Sequence, residues 1–529
     1  MAQSGVSGDV KAVFTLCVAL MGLASVLDSG ALGWLVAPVA IVGFTFCAAR
    51  TPLRYSLYAL MFAAFTLDTP ADQFAGGLYQ SPLYKVGAAL FDHLNNLTGI
   101  KALFFSGADI MLGVLGIIGI MRQSSGSRVD AADRCPTPRQ HVRLAQVALL
   151  GAGYVFVWGM FRGGEFNWAL WQLNRVLYLP LLFLLFHLAL RGPKDYEDLA
   201  KVVLGAAVTR AVLAILIKQF VPAEIDPETG LAELPYCTSH ADSMLFSSAF
   251  VLLVLMVLEK AHPKARRYAY LFIPILAWGM IANNRRLVWV HVALILITLY
   301  VLSPDNRHKK RFRRSLLFAS PLIALYMMAG WNSQFGKLFK PVRMARSIVE
   351  PTTDGSSLWR ELENYNLIVT LKQSPIMGYG YGLRFIEVAP LPAVNYSLEY
   401  YLPHNSLLGL WAFAGYIGYT AMTLMWGVGV FFAMRAYHGA KTPGDRAAAI
   451  VSVGMVLVYM VQAFGDLGLG SLTGIYLLAP ALAMAGKIAV SNGAWGARSA
   501  PAVAASEKAE KAPPKQGFAG GFRGRNAAR

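Results

Sequence analysis

Long apolar blocks, each close to the length of a bilayer-crossing helix, recur along most of this chain. Together with the breakers between them they predict fourteen spans. The predicted spans are 12–28, 31–49, 55–67, 101–121, 144–161, 175–191, 201–221, 244–259, 269–284, 287–303, 315–330, 406–434, 447–465 and 470–489. A bilayer core offers no water to backbone N–H and C=O groups, so each block is expected to be helical. The sequence predicts an all-α polytopic membrane protein with about 12–14 transmembrane helices.

Composition and charge support this class. Of the 529 residues, 56% are hydrophobic and 14% are charged, whereas a soluble domain carries about a quarter charged residues. The net charge of +18 concentrates in short connectors, notably 122–143, 259–268 and 304–314. With the spans counted alternately, these connectors share one side, as the positive-inside rule expects of the cytoplasm. No nucleic-acid partner is therefore predicted, and the four cysteines show no metal-ligand spacing.

The span count divides the chain into four parts. They are N-terminal transmembrane helices over 1–330, a large outer loop over 331–405, C-terminal transmembrane helices over 406–490 and a disordered basic cytoplasmic tail over 491–529. Apolar residues at helical spacing predict an amphipathic helix over 357–373 within the large loop, ended by Pro375. A second outer connector, 68–100, is expected to hold an interfacial amphipathic helix.

A histidine stands directly before the helix that follows the large loop. His404 and Asn405 precede an apolar stretch, in which Gly415 and Gly418 come 11 and 14 residues after the histidine. At about 100° per residue, a continuous helix would place both glycines beneath His404. Two explanations stay open: the glycines permit close helix packing, or they leave a slot for a long apolar ligand. Asn405 or Ser406 could also cap the N-terminus of this helix.

Several arginines on the outer side could bind an anion. Arg285 and Arg286 interrupt two apolar blocks, where a charge is costly and is expected to face either lipid headgroups or a diphosphate ligand. The guanidinium fork suits phosphate oxygens. Arg384 follows a glycine run in which Gly378 and Gly380 could bring backbone N–H groups to an anion or a sugar, or simply form a turn.

Two motifs carry a family resemblance. The pattern H-N-x9-G-x-x-G, from His404 to Gly418, resembles the signature of bacterial O-antigen ligases and the related O-antigen and exopolysaccharide polymerases. Arg360 stands 15 residues before Pro375 of "PIMGYG", which is similar to the arginine and the Pro-x-x-Gly-x-Gly turn of that family. The family also has an arginine at the outer end of a middle span. Arg286 is favoured over its neighbour as the equivalent here.

The resemblance implies an integral membrane glycosyltransferase of the GT-C type. Such an enzyme would transfer a glycan from undecaprenyl diphosphate to a sugar hydroxyl of an acceptor glycan or lipid A–core, at the periplasmic face of the bacterial inner membrane. The reaction would be metal-independent and inverting, without a cofactor, and residues 331–405 would form the periplasmic catalytic loop. His404 would act as general base, while Arg286 and Arg360 would stabilise the leaving diphosphate. Substrate-binding roles are expected for Arg285, Arg384, Asn405, Gly378, Gly380, Gly415 and Gly418.

Two alternatives stay open from the sequence. No residue separates a ligase, which attaches a finished glycan to lipid A–core, from a polymerase, which joins repeat units. A flippase or transporter without chemistry would instead place polar residues along a path inside the membrane. The notable polar residues within spans, Asp109, Arg210 and Lys218, form no evident series.

Overall fold

α-Helix dominates the architecture. The computed structural model describes residues 7–26, 30–67, 83–94, 105–125, 135–221, 237–302, 307–333, 338–350, 355–391 and 400–496, which contain 17 α-helices and no strand. The helices are α1 Gly8–Val26, α2 Gly30–Arg50, α3 Leu53–Thr66, α4 Tyr84–Phe91, α5 Gly107–Ser124, α6 Arg139–Phe161, α7 Phe166–Ala189, α8 Tyr196–Phe220, α9 Asp242–Leu258, α10 Ala265–Asn283, α11 Arg286–Leu302, α12 Arg307–Gly330, α13 Lys340–Val349, α14 Gly355–Gln373, α15 Ser406–His438, α16 Pro443–Gly465 and α17 Leu472–Ser491. Each predicted span coincides with a helix, which confirms the all-α class.

The membrane assignment is confirmed at the level of a polytopic protein. Among the described residues, six helices are long and apolar enough to cross a bilayer, namely α6, α7, α8, α15, α16 and α17. Shorter apolar helices cover 38–50, 242–258 and 286–302. The predicted amphipathic helix over 357–373 is confirmed as α14, and α4 lies within the connector expected to hold an interfacial helix. Of the predicted tail over 491–529, the part after Gly496 lies outside the described residues.

The centre of the bundle is α17, because 89% of its apolar stretch is buried. It packs against α7, α9, α15 and α16. Small side chains on α17, among them Ala479, Ala483 and Ala485, are fully buried, and small residues let neighbouring backbones approach closely where no water drives association. The long helix α15 packs on α6, α16 and α17. The segment that begins after His404 is therefore anchored to the most buried part of the protein.

The polar residues weighed for a transport path have local partners or lie at the surface. Arg210 on α8 and Asp242 at the start of α9 form an ion pair with side chains 1% and 3% exposed. Arg210 Nε and Nη2 donate to Asp242 Oδ2 at 3.0 and 2.8 Å, and Nη1 donates to the carbonyl of Thr66 at 3.3 Å. Asp109 caps the start of its own helix, and Lys218 is exposed. These residues line no common passage within the described part of the chain.

The ion pair makes a stability prediction. Arg210→Ala leaves Asp242 buried without its cation, which costs about 3–5 kcal/mol when a buried pair is broken. The Arg210→Met/Asp242→Leu double variant removes both charges and is expected to regain most of that loss. Thermal unfolding of the full chain in detergent measures both, with Lys218→Ala on the same helix as the control. An Arg210→Ala protein that unfolds at the temperature of the control would contradict the structural role.

Candidate functional site

The amphipathic helix α14 runs beside the first half of α15, in the same direction. Near the start of α15, Glu363 Oε2 accepts a hydrogen bond from the backbone N–H of His404 at 2.9 Å. One residue further along both segments, Asn405 Nδ2 donates to Asn364 Oδ1 at 3.0 Å. Asn405 also caps α15, because its Oδ1 accepts from the N–H of Leu408 at 3.1 Å. The predicted N-cap is thus confirmed, and α14 orients it.

A break in α15 provides the second point at which α14 and its following loop are attached to α15. Gly415 has φ 61° and ψ −173°, a backbone conformation essentially confined to glycine. The loop after α14 fills the break and pairs the freed backbone groups. The donor–acceptor pairs are Tyr416–Pro375 at 2.8 Å, Ile417–Ile376 at 3.2 Å, Tyr379–Ala412 at 3.0 Å and Gly380–Phe413 at 2.8 Å. The first two pairs are 41 residues apart in the chain, as are Glu363–His404 and Asn364–Asn405. The Tyr379–Ala412 and Gly380–Phe413 pairs are 33 residues apart, because the loop turns there and contacts the residues just before the break.

The glycines of both motifs are packed against protein. A Cβ on Gly415 would lie 2.2 Å from the nitrogen of Gly378, and one on Gly380 would lie 2.5 Å from the Cα of Gly159. A Cβ on Gly418 would lie 2.8 Å from Val155 Cγ2 on α6. Of the two explanations left open for Gly415 and Gly418, close packing describes these positions, because loop backbone and α6 occupy the space and α15 begins only at Ser406.

The helix break makes a prediction with a control on the same helix. Gly415→Ala requires a left-handed φ and collides with the loop backbone, so it is expected to undock the loop and to lower both membrane yield and thermal stability. Gly427→Ala meets nothing within 4 Å and should behave as the unaltered protein. Expression levels and unfolding temperatures of the two variants measure the difference. Equal values would show that the break does not hold the loop.

His404 is held by a buried carboxylate. Its Nδ1 lies 3.2 Å from Oε1 of Glu363, whose side chain is 1% exposed, while the imidazole is 18% exposed. A carboxylate only accepts hydrogen bonds, so the neutral tautomer that fits this contact has its proton on Nδ1 and a lone pair on Nε2. The ring of Trp359 packs edge-on against the imidazole, with centroids 4.8 Å apart. This is the arrangement of an oriented base: one nitrogen is anchored and the other can take up a proton.

Asp466, the residue after α16, links a second histidine to this site. Its Oδ2 contacts Nδ1 of His240, and the N–H of the next residue, Leu467, donates to the carbonyl of His404 at 2.8 Å. Burial alone would raise the pKa of Asp466, but His240, followed by Arg360 and His404, lowers the pKa well below its ordinary value. The carboxylate is therefore ionised at neutral pH, with two histidines and one arginine around it.

Arg285 and Arg286 are at the same end of the bundle. Asn283, the last residue of α10, accepts from the N–H and hydroxyl of Thr238 at 3.1 Å each and donates to the carbonyl of Ser239 at 3.2 Å. These contacts tie the segment before His240 to the segment that carries both arginines. Arg286 begins α11 and is exposed, whereas Arg285 is half-buried with Nε and Nη2 enclosed by protein. Both arginines therefore stay candidates.

The neighbouring residue places this pair beside Asp466. Leu287 packs on Gly465, since a Cβ there would lie 2.8 Å from Leu287 Cδ2. Gly465 is the residue before Asp466. The start of α11 and the end of α16 thus meet beside the two histidines, and Arg285 and Arg286 are brought to the same region as Arg360.

Arg360 and Arg384 have different surroundings. Arg360 is half-buried on α14, and its Nε is buried without a hydrogen-bond partner among the described residues. Arg384 is exposed, its Nε donates to the hydroxyl of Tyr401 at 3.2 Å, and its guanidinium lies 5.7 Å from the ring centre of Tyr400. Arg360 is therefore the arginine that acts on Asp466, and Arg384 is held by the tyrosines of the segment before His404.

Two deeply buried amides hold the loops around the site. Gln172 on α7 donates to the carbonyl of Tyr401 and accepts from the N–H of Gly382, both at 2.7 Å. Asn366 on α14 accepts from the N–H groups of Val388 and Ala389 at 2.9 and 2.8 Å. The loop segments on both sides of the site are thereby fixed to α7 and α14.

Sequence reasoning missed the two carboxylates of this site and gave His240 no role. Glu363 lies three residues after Arg360 on the predicted amphipathic helix, which is the one signal that could have found it. Asp466 is a single acidic residue after a span. No group of three or more His, Cys, Asp or Glu side chains suited to a metal ion occurs in the described ranges.

The fold and the site together define an all-α, multi-pass membrane protein with a histidine, carboxylate and arginine cluster at one end of its bundle. Residues 269–423 match the O-antigen ligase family, a stretch that includes Arg285 and Arg286, all of α14 and the signature at the start of α15. The matched family domain covers 155 of the 529 residues and supports a membrane protein of the O-antigen ligase and polymerase type, with a function in surface polysaccharide biosynthesis. A search of curated proteins finds no match.

Proposed function

We propose that the protein transfers a glycan from undecaprenyl diphosphate to an acceptor sugar hydroxyl at the periplasmic face of the bacterial inner membrane, by metal-independent inversion. The observation that carries the proposal is the anchored imidazole of His404, which is bound to Glu363, while His404 and Arg360 both act on the carboxylate of Asp466. A site of this composition can take a proton from one substrate and stabilise negative charge on the other.

The proposed reaction is a single displacement. The acceptor hydroxyl oxygen attacks the anomeric carbon, its proton passes to His404 Nε2, and the bond from the anomeric carbon to the diphosphate oxygen breaks with its electron pair on that oxygen. Attack opposite the leaving group inverts the anomeric configuration. Glu363 holds the ring in the required tautomer and balances the imidazolium that forms. Glu363 is thus a positioning residue, and His404 is the base.

The leaving group requires fixed positive charge. Negative charge grows on the phosphate oxygens as the bond breaks, and one well-placed donor contributes about 3–4 kcal/mol to such a transition state. Arg360 takes this role together with Arg286 or Arg285, which the contacts of α11 bring to the same end of the bundle. Arg384 is exposed and packs on Tyr400 and Tyr401, and we assign it to substrate binding.

Ligase and polymerase activities share this donor chemistry, and the acceptor separates them. A strain without the protein that makes rough lipopolysaccharide while it retains long lipid-linked chains identifies a ligase with lipid A–core as acceptor. Single-repeat products identify a polymerase that uses an acceptor glycan.

Removal of the proposed base is the main test. His404→Ala should lower the rate of glycan transfer about a hundred- to ten-thousand-fold, because general-base catalysis contributes that much. His438→Ala, at the far end of the same helix, is the control and should keep the full rate. Transfer from a lipid-diphosphate donor is measured in membranes at matched protein levels. Near wild-type turnover by His404→Ala would refute the assignment.

A further inference from the structure

The pair formed by His240 and Asp466 has no part in the displacement described above. His240 lies two residues before α9, and its side chain is 31% exposed, while that of Asp466 is 9% exposed. One partner is thus buried in the protein and the other is partly exposed. A buried carboxylate at neutral pH requires a cation or hydrogen-bond donors beside it, and His240 is the group in direct contact.

The position of His240 is fixed from three directions. Asp466 contacts its Nδ1. The side chain of Asn283 forms the hydrogen bonds described above to Thr238 and Ser239, the two residues before His240. On the following side, the N–H of Ser243 donates to the carbonyl of His240 at 3.2 Å. An imidazole held in this way presents its second nitrogen in a restricted direction, as a ligand-binding histidine must.

The charges around the pair favour an anion. His240, Arg360 and His404 lower the pKa of Asp466. Arg285 and Arg286 follow shortly after Asn283 in the chain. The opposing carboxylates are Asp466 itself and Glu363, which His404 engages. Cationic groups therefore outnumber carboxylates where these segments meet, and phosphate oxygens are well matched to them.

We propose that His240 is a further ligand of the lipid diphosphate: in the complex its ring is an imidazolium, with Nδ1–H donating to Asp466 and Nε2–H donating to a phosphate oxygen. Both ring nitrogens of an imidazolium are donors, so Nδ1 can serve Asp466 while Nε2 serves the phosphate. The role rests on the proposed function, because it names a residue that receives the same leaving group. It adds a histidine to a site otherwise built from arginines.

Binding of farnesyl diphosphate tests this role without reference to turnover. The full-length protein in nanodiscs is titrated by calorimetry, and His240→Gln should weaken the dissociation constant about tenfold or more, as expected for loss of a charge-assisted hydrogen bond. His240→Lys keeps a cation at this place and should regain part of the affinity. His262→Gln, on the connector beyond the other end of α9, is the matched control and should bind as the wild type.

The outcomes separate this role from the proposed function. Unchanged diphosphate affinity in His240→Gln overturns the inference, even if glycan transfer falls. Equal losses in His240→Gln and His240→Lys, with unfolding temperatures unchanged, overturn it as well, because a phosphate ligand requires the charge. If the wild-type protein binds the diphosphate but transfers no glycan to any acceptor, the proposed function fails, and the titrations still decide the role of His240.

Discussion

The parallel docking of α14 on α15 is the contact on which the site depends. Side-chain contacts of Glu363 and Asn364 hold the start of the pair, and two of the backbone hydrogen bonds at its end, Tyr416–Pro375 and Ile417–Ile376, have the same offset of 41 residues. A shift of either segment by one residue would separate Glu363 from His404 and would leave the groups at the helix break unpaired. Unpaired backbone groups are costly inside a membrane protein. The register of the break therefore also sets the position of the imidazole.

The two family motifs lie on the two segments that dock: the arginine and Pro-x-x-Gly-x-Gly motif on α14 and its following loop, and the motif from His404 to Gly418 at the start of α15. The turn after α14 enters the break that Gly415 creates, and glycines are required there because backbone meets backbone at less than the distance a Cβ needs. The polar residues of α14 engage the cap of α15. Conformational requirements and chemical requirements thus share one structural unit. Asp466, at the end of α16, contacts this unit in two ways. Its carboxylate contacts His240, and the backbone N–H of the next residue, Leu467, donates to the carbonyl of His404.

The fold class could be predicted from the sequence, because bilayer-length apolar blocks admit only helices. His404 and Arg360 could be named, since each belongs to a motif with fixed spacing. Glu363 and Asp466 could not, because Glu363 contacts His404, 41 residues further along the chain, and Asp466 contacts His240, 226 residues before it, and no local pattern reports such contacts. The helix break at Gly415 could not be predicted for a related reason. A glycine within an apolar stretch gives no sign that the helix breaks there, and the break is stable only with a distant loop in place.

The coupling between Glu363 and His404 tests the account most directly. Glycan-transfer rates are measured for the wild type, Glu363→Gln, His404→Ala and the double variant. Loss of a hydrogen bond to a charged group is worth about 1.5–3 kcal/mol, so Glu363→Gln should slow the wild type roughly 10- to 150-fold. If Glu363 acts through the imidazole, the same change should cause almost no further slowing once His404 is alanine. Equal slowing in both backgrounds would contradict the account.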